Sequence, residues 1–192
     1  MLTQIVLFVL DTVCGLLTLA LLVRFAMQWA RAPFRNPLGQ FIVAVTDWMV
    51  RPLRRVIPGL FGLDMASLLL AWLWQVVYQG IALGLSGVLL AVSFAPALVV
   101  ALLALLEVAK ISLYLVMGAV LVAAVFSWVN PHAPLADVFN ILTRPLLRPF
   151  RRVIPPVGGV DLSPLALLLL LQIALFVVAG LRNSVLPMML MG

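Results

Sequence analysis

The segment Arg-Pro-Leu-Arg-Arg-Val-Ile-Pro at Arg51–Pro58 occurs a second time, with one substitution, as Arg-Pro-Phe-Arg-Arg-Val-Ile-Pro at Arg148–Pro155. The sequence around the two copies is largely apolar: 66% of the 192 residues are hydrophobic and only 9% are charged. A soluble domain carries about 25% charged residues, so this chain has too few polar side chains to cover its surface in water. A repeated arginine segment between long apolar runs therefore predicts an integral membrane protein.

Four apolar runs are long enough to cross a membrane, because a hydrocarbon core of about 30 Å requires about 20 helical residues. They cover approximately residues 2–23, 65–94, 97–129 and 164–181. The third run is longer than the bilayer is thick, so it must tilt, bend or project. Arg24 follows the first run, where we expect it to snorkel towards the headgroups. The sequence thus predicts an all-α integral membrane protein with about four transmembrane helices.

Each arginine segment belongs to a stretch that has an apolar face at helical spacing. In the first copy this face consists of Leu38, Phe41, Ile42, Val45, Met49, Leu53 and Val56. Asn36-Pro37 predicts the start of the first helix, with Asn36 as N-cap and Pro37 at the first helical position. A second Asn-Pro pair, Asn130-Pro131, opens the second amphipathic segment. Pro52 should kink or end the first of them. The pattern favours an amphipathic helix in the headgroup plane, and an ordinary basic loop is the alternative.

The two copies align over much more than the arginine segment. A shift of 97 residues, which brings position 38 to 135, places the first apolar face on Leu135, Val138, Phe139, Leu142, Leu146, Phe150 and Val153. The same shift brings Asp64 to Asp161, and a shift of 99 brings Trp29 to Trp128. Polar and aromatic matches at nearly constant spacing are not expected by chance among leucine-rich helices. They indicate an internal repeat.

The repeat divides the chain into two tandem units, residues 1–95 and 96–192. Each unit is expected to contain a transmembrane helix, an arginine helix, a Gly-x-Asp segment and a second transmembrane helix. Two crossings return the chain to its starting side, so the units are parallel repeats and both arginine segments face one side. The positive-inside rule assigns that side to the cytoplasm and both termini to the periplasm.

The segments Asn36–Pro58 and Gly62–Asp64 resemble the bacterial YggT family, also described as YlmG-like. Thr143–Pro155 with Gly159–Pro164 matches the family signature more fully, so the resemblance covers the chain in two copies. It implies a small multi-pass protein of the bacterial inner membrane without an enzymatic reaction. Bacterial relatives are linked to osmotic or envelope stress and to division. Plastid relatives are linked to nucleoid organisation and to assembly of a membrane cytochrome complex.

The first copy departs from the signature at two places. Asp47-Trp48 stands where the second copy has Arg144-Pro145, and Ala66-Ser67 stands where it has Ser163-Pro164. These departures predict that the two units do not have equal roles.

Three ionisable residues, Asp11, Glu107 and Lys110, interrupt the apolar runs, and such intramembrane charges are costly and often functional. Asp11 and Lys110 each precede an aligned tryptophan by 18 residues, which places them at the same depth and predicts a contact between them. Glu107 is the local alternative partner of Lys110. The charges are expected to hold helices together, and a proton or ion pathway is the alternative.

Asp64 and Asp161 each precede a transmembrane helix. A carboxylate there can cap the helix and also hold the arginines of its own segment, so we expect a cap and clamp role for both. Six arginines are expected to bind anionic lipid headgroups or a partner protein: Arg51, Arg54, Arg55, Arg148, Arg151 and Arg152.

Other functional classes find little support in the sequence. Cys14 and His132 are single residues of their types, so we expect no disulfide, no metal site and no cofactor. No nucleophile or base accompanies the aspartates, so an enzyme is not expected, and the arginines lie beside membrane segments rather than on a nucleic-acid-binding face. The leading prediction is a non-enzymatic membrane scaffold, biogenesis or stress-response factor that contacts headgroups, an unknown membrane protein or a second copy of itself. The alternative is a small ion channel or transporter component in osmotic adjustment.

Overall fold

A computed structural model describes residues 1–57, 63–87, 96–130, 132–133, 135–154 and 161–190. The described chain forms α-helices: α1 (Leu2–Trp29), α2 (Pro37–Arg54), α3 (Met65–Leu85), α4 (Pro96–Val129), α5 (Ala136–Val153) and α6 (Ser163–Leu190). The prediction of an all-α fold is confirmed. Both glycines of the Gly-x-Asp segments, Gly62 and Gly159, lie outside the described residues.

Four of these helices are long and apolar enough to cross a membrane, which confirms the predicted membrane protein. The candidate spans are Leu2–Trp29, Met65–Leu85, Pro96–Ser127 and Ser163–Val185. Helix α4 has 34 residues. At about 1.5 Å per residue it is about 50 Å long, so an upright α4 extends well beyond a hydrocarbon core of about 30 Å.

The transmembrane helices pack in pairs within each unit and across the boundary between units. Helix α1 packs against α3, α4 packs against α6, and α3 and α4 join the two pairs. One apolar cluster contains Leu21 and Leu22 of α1, Ala71 of α3 and Val108 of α4. The units therefore share a core, and neither forms a separate layer.

Helices α2 and α5 lie against this bundle through their apolar faces. Met49 and Val50 of α2 and Leu147 of α5 are buried. Helix α2 continues for two residues beyond Pro52, and α5 continues past both of its internal prolines to Val153. Proline in these helices does not end them where it occurs.

Helix α5 also contacts the first unit. Its Val138 and Leu142 form a cluster with Met27 of α1 and with Ala32, which follows α1. The arginine helix of the second unit is thus held against the end of the first transmembrane helix. This contact positions the candidate site described below.

The two arginine helices start differently. Asn36 is the N-cap of α2, where its side-chain oxygen accepts a hydrogen bond from the Gly39 N–H at 2.8 Å. Asn130 does not cap α5: its side chain accepts from the His132 N–H at 3.3 Å, and α5 begins only at Ala136. Asn130 precedes Leu135 by five residues whereas Asn36 precedes the equivalent Leu38 by two, so Asn130 cannot reach the first turn of its helix.

The start of α2 generates a first prediction. A Cβ atom at Gly39 would lie 2.7 Å from the backbone oxygen of Phe34, which cannot yield like a flexible side chain. Gly39→Ala should therefore lower the free energy of unfolding by about 1–3 kcal/mol, the usual cost of overpacking. The change can be measured in detergent as the temperature at which the buried thiol of Cys14 reacts with a fluorescent maleimide.

Gly118→Ala in α4 is the matched control, because a Cβ there meets nothing within 4 Å. Alanine favours a helix over glycine by about 1 kcal/mol, so the control should be neutral or slightly stabilising. Equal midpoints for the two variants would contradict the proposed clash.

Candidate functional site at the arginine helices

Arg24 of α1 is the centre of a buried ionic network. The residue is only 5% exposed. Its Nη1 atom lies 2.8 Å from Asp47 Oδ1 on α2, and its Nε atom lies 3.3 Å from Asp64 Oδ2 at the start of α3. The expectation that Arg24 snorkels to the headgroups was wrong, because two carboxylates satisfy the guanidinium inside the bundle.

The network continues outward on both sides of Arg24. Arg51 pairs with the second oxygen of Asp47 at 2.8 Å, and Arg54 pairs with Asp64. The result is an alternating chain of charges: Arg51, Asp47, Arg24, Asp64 and Arg54. Each carboxylate lies between two guanidinium groups, so every buried charge of this five-residue network has an opposite charge beside it.

Asp64 serves both as a helix cap and as the clamp between three helices. It is the N-cap of α3 and accepts hydrogen bonds from Ser67 Oγ at 2.6 Å and from the Ser67 N–H at 3.4 Å. Burial raises the pKa of Asp64, but the hydrogen bonds from Arg54 and Ser67 and the charge of Arg54 outweigh burial and hold the pKa below its ordinary value. Asp64 is therefore ionised at neutral pH.

The second unit keeps only the outer part of this arrangement. Asp161 accepts from Arg151 Nε at 2.8 Å and from the Ser163 N–H at 2.9 Å. Both side chains of this ion pair are exposed, Arg151 by 52% and Asp161 by 39%. Burial raises the pKa of Asp161, and the hydrogen bonds from Ser163 and Arg151 lower it to a net value below the ordinary one.

The inner part is absent from the second unit because the residues differ. Ala123 occupies the position of Arg24 at a shift of 99 residues, and Arg144 occupies that of Asp47 at a shift of 97. Ala123 cannot form an ion pair, and Arg144 has the opposite charge to its counterpart. The second unit thus has no equivalent of the buried network.

The six predicted arginines consequently fall into two groups. Arg51, Arg54 and Arg151 form ion pairs with aspartates of their own unit. Within the ranges that the structure describes, the other three form no ion pair and are exposed: Arg55, Arg148 and Arg152.

A basic cavity of about 650 Å³ lies between the end of α1 and helix α5. Five arginines line it: Arg31, Arg144, Arg148, Arg151 and Arg152. Sequence reasoning missed Arg31 and Arg144 as site residues. The exchange of Asp47 for Arg144 between the units was the signal that could have identified Arg144.

The charges within the transmembrane helices form a second network. Glu107 of α4 is buried and pairs with Lys110 on the same helix and with Arg182 Nη1 on α6 at 2.7 Å. Among the described residues no ion pair joins Asp11 to Lys110, so the predicted contact was wrong and the local partner prevails. Residues three apart on one helix are already adjacent, whereas Asp11 would have to be brought to Lys110 by packing.

Asp11 instead lies beside Tyr78 of α3, with which it interacts electrostatically. Deeper between α1 and α3, Gln75 Nε2 donates to Thr18 Oγ1 at 3.0 Å. The described side chains include no group of three or more His, Cys, Asp or Glu residues placed to hold a metal ion. The polar groups of the bundle therefore join helices α1, α3, α4 and α6 in pairs.

These features define a class: a helical membrane protein made of two tandem units, each with an arginine helix between two membrane-crossing helices. The family model described as CCB3/YggT matches the chain twice, at residues 3–85 and 91–182, and the chain belongs to this family. No solved structure matches the chain.

Curated relatives match almost the whole chain. The protein named YggT of Escherichia coli (strain K12) is 41% identical over 187 residues, which cover 96% of this chain and 95% of that protein. PA0392 of Pseudomonas aeruginosa is 39% identical over 173 residues, 86% of this chain and 84% of the relative. A Vibrio alginolyticus protein encoded in the proC 3′ region is 38% identical over 180 residues, 93% of this chain and 95% of the relative.

The contrast between the two aspartates generates a second prediction. Asp64→Asn retains the cap but leaves Arg24 buried with one carboxylate fewer, so the free energy of unfolding should fall by about 3–5 kcal/mol, as when a buried pair loses one partner. Asp161→Asn breaks an exposed pair and should cost about 0–1 kcal/mol. The loss of stability in each variant can be measured from the temperature at which the Cys14 thiol becomes accessible during heating.

The same pair of variants predicts a pH dependence. The depressed pKa of Asp64 means that its stabilising effect is present above the pKa of the unfolded chain and is lost as the pH falls through the lower folded value. The wild-type protein should lose stability on acidification more steeply than Asp64→Asn. Parallel pH profiles, or similar losses for the two asparagine variants at neutral pH, would contradict the role given to Asp64.

Proposed function

We propose that the protein is a non-enzymatic scaffold, biogenesis or stress-response factor of the bacterial inner membrane. Its arginine helices engage anionic lipid headgroups or a partner membrane protein, and α5 is the helix that does so most directly. Family membership and the four apolar helices support the coarse part of this proposal. The arrangement of the arginines supports the rest.

The observation that carries the proposal is the unequal use of charge in the two units. In α2, Arg51 and Arg54 form ion pairs with Asp47 and Asp64, and only Arg55, just after the helix, is exposed without an ion pair among the described residues. In α5, Arg144, Arg148 and Arg152 are exposed and form no ion pair within the described chain. Each arginine near an anionic surface contributes about 1 kcal/mol of attraction. Helix α2 is therefore the structural copy, and α5 is the copy that is free to bind.

The proposed orientation places both arginine helices at the cytoplasmic face and both termini in the periplasm. The positive-inside rule and the even number of crossings support this orientation. Anionic lipids of the cytoplasmic leaflet would then lie next to α5.

Reporter fusions test this orientation. Alkaline phosphatase fused after the last residue should be active, and a fluorescent protein fused there should be dark, because the C-terminus would be periplasmic. The control is a fusion after Ile154, at the end of the second arginine helix, which should give the reverse pattern. A fluorescent C-terminal fusion would overturn the orientation.

An ion pathway is the second candidate, and one observation favours it. Gln75 Oε1 and Gln79 Nε2 on α3 are buried without a hydrogen-bond partner. Buried unsatisfied polar atoms of this kind can contact water or an ion. The paired state of Glu107 favours the scaffold, because its charge already has two partners.

Photo-crosslinking in native membranes tests the scaffold proposal at two matched positions. Val56 and Val153 are equivalent in the repeat and are similarly exposed, at 77% and 81%. A photoreactive residue at Val153 should give lipid or protein adducts whose yield falls several-fold in the Arg148→Gln, Arg152→Gln double variant, because the guanidinium groups hold the neighbouring anion there. Adducts from Val56 should not depend on that double variant.

Two outcomes would contradict the proposal. One is an adduct yield from Val153 that does not change when both arginines are replaced. The other is gradient-driven ion flux through the reconstituted protein that Asp11→Asn abolishes, which would support the ion pathway instead.

A further inference from the structure

The basic cavity adjoins an apolar groove, and the two share one residue. The groove has a volume of about 220 Å³ and is lined mostly by apolar side chains of α1, α3, α4 and α5, among them Phe25, Ala26 and Leu115; Ser112 and Thr143 are its polar lining residues. Trp29, at the end of α1, lines both spaces. The combined site has a strongly cationic compartment next to an apolar one at the end of a transmembrane helix, which is the polarity of a phospholipid.

Helix α5 contributes to both compartments through neighbouring residues. Leu142 and Leu146 line the groove, whereas Ile141, Arg144 and Arg148 line the basic cavity. The boundary between the basic cavity and the apolar groove therefore runs along α5. A ligand in this site must change from polar to apolar within a few ångströms.

The cavity contains more positive charge than the protein neutralises. Of its five arginines, only Arg151 forms an ion pair within the described residues, and that pair is with Asp161. The four others repel one another and need anions. Guanidinium groups bind phosphate through two parallel hydrogen bonds, so phosphate oxygens are the best match to this lining.

Arg31 provides independent support from the backbone. Its φ angle is +56°, in the left-handed region that glycine adopts without strain. The Ala32 N–H donates to the Met27 carbonyl and the Arg31 N–H to the Gln28 carbonyl, so Arg31 occupies the position of a helix-ending turn at which glycine is usual. The chain retains a strained arginine there, and its side chain lines the basic cavity.

We propose that this site binds one anionic phospholipid, with a headgroup containing two phosphates in the arginine cavity and an acyl chain in the groove beneath Trp29. Two phosphates match four unpaired guanidinium groups better than one. The proposal deepens the headgroup binding proposed above and rests on it, since it names the lipid class and locates its site between the two units.

Native mass spectrometry of the full-length protein in detergent can measure this binding. The probes are a diphosphate phospholipid (cardiolipin), a monophosphate one (phosphatidylglycerol) and a zwitterionic one (phosphatidylethanolamine), each titrated separately. We expect one tightly bound cardiolipin, weaker phosphatidylglycerol and the weakest binding for phosphatidylethanolamine. Equal affinities for the three lipids would overturn the proposal.

Arg31→Gly separates binding from folding. It removes one guanidinium, so cardiolipin binding should weaken about fivefold, the factor expected from one interfacial arginine. It also relieves the left-handed strain, so the unfolding temperature without lipid should rise or stay constant. Arg144→Gln should weaken binding by a similar factor.

Arg35→Gln is the control, because it removes the same charge from an exposed residue that does not line the cavity. A loss in this control as large as in Arg31→Gly would show that net charge alone attracts the lipid, and would overturn the site.

The groove and the headgroup cavity can be tested separately. Ala26→Leu fills the groove and should weaken cardiolipin binding without changing the affinity for inorganic pyrophosphate. If pyrophosphate binds as tightly as cardiolipin, or if Ala26→Leu has no effect, the acyl-chain part is wrong and the ligand is a free phosphate compound. Bound cardiolipin without arginine-dependent adducts from Val153 would leave the lipid site standing and defeat the scaffold. Arginine-dependent adducts from Val153 without a preference for any of the three lipids would support the scaffold and overturn the lipid site.

Discussion

The fold of the first unit depends on one buried guanidinium. Arg24 reaches from α1 to Asp47 on α2 and to Asp64 at the start of α3, so a single side chain fixes the positions of three helices. Moving an unpaired charge into a low-dielectric interior costs several kcal/mol, and only good geometry with opposite charges offsets that cost. Arg51 and Arg54 give each aspartate a second positive neighbour. The stabilisation by each ion pair therefore depends on the other members of the network. Removing Arg24 or one of the two aspartates leaves a buried charge without its partner. Removing Arg51 or Arg54 instead opens the paired carboxylate to water, which can partly replace the lost guanidinium.

The second unit shows what the same framework does without that buried charge. Ala123 and Arg144 stand where the first unit has Arg24 and Asp47, so among the described residues no ion pair joins α5 to α4. Apolar contacts replace it: Val138 and Leu142 pack against Met27 at the end of α1, and Leu147 packs against Leu167 of α6. Hydrophobic packing imposes no charge balance, so Arg144, Arg148 and Arg152 of α5 remain without an ion pair in the described part of the chain. The first unit is held together by its own ion pairs, and α5 packs against it through Val138 and Leu142.

Helical spacing and the internal repeat were sufficient to predict the membrane-crossing helices and both arginine helices, because those features depend on local periodicity and on matches between two copies. Partners were harder to predict. A lone arginine after an apolar run has the same local pattern whether it snorkels or is buried, and the partners of Arg24 lie 23 and 40 residues away, at Asp47 and Asp64. The apolar run of the sequence ends at Leu181, which places Arg182 beyond the fourth crossing, but α6 continues to Leu190 and brings Arg182 to Glu107. Long-range pairing depends on packing, which a single sequence does not display.

The depth of the second ionic network argues for anchoring rather than transport. Glu107 lies 22 residues before Val129, the end of α4 on the side of the arginine helices. At about 1.5 Å per residue this is about 33 Å along the helix, roughly the full thickness of a hydrocarbon core. Asp11 lies 18 residues before Trp29, or about 27 Å along α1 by the same rise. Substrate and ion sites of helical transporters lie near the midplane, whereas these charges lie about 27–33 Å along their helices from the ends beside the arginine helices. Ionic contacts therefore join the helices both beside the arginine helices and at this distance from them. The polar pair of Thr18 and Gln75 is one of the hydrogen-bonded contacts described between the two networks.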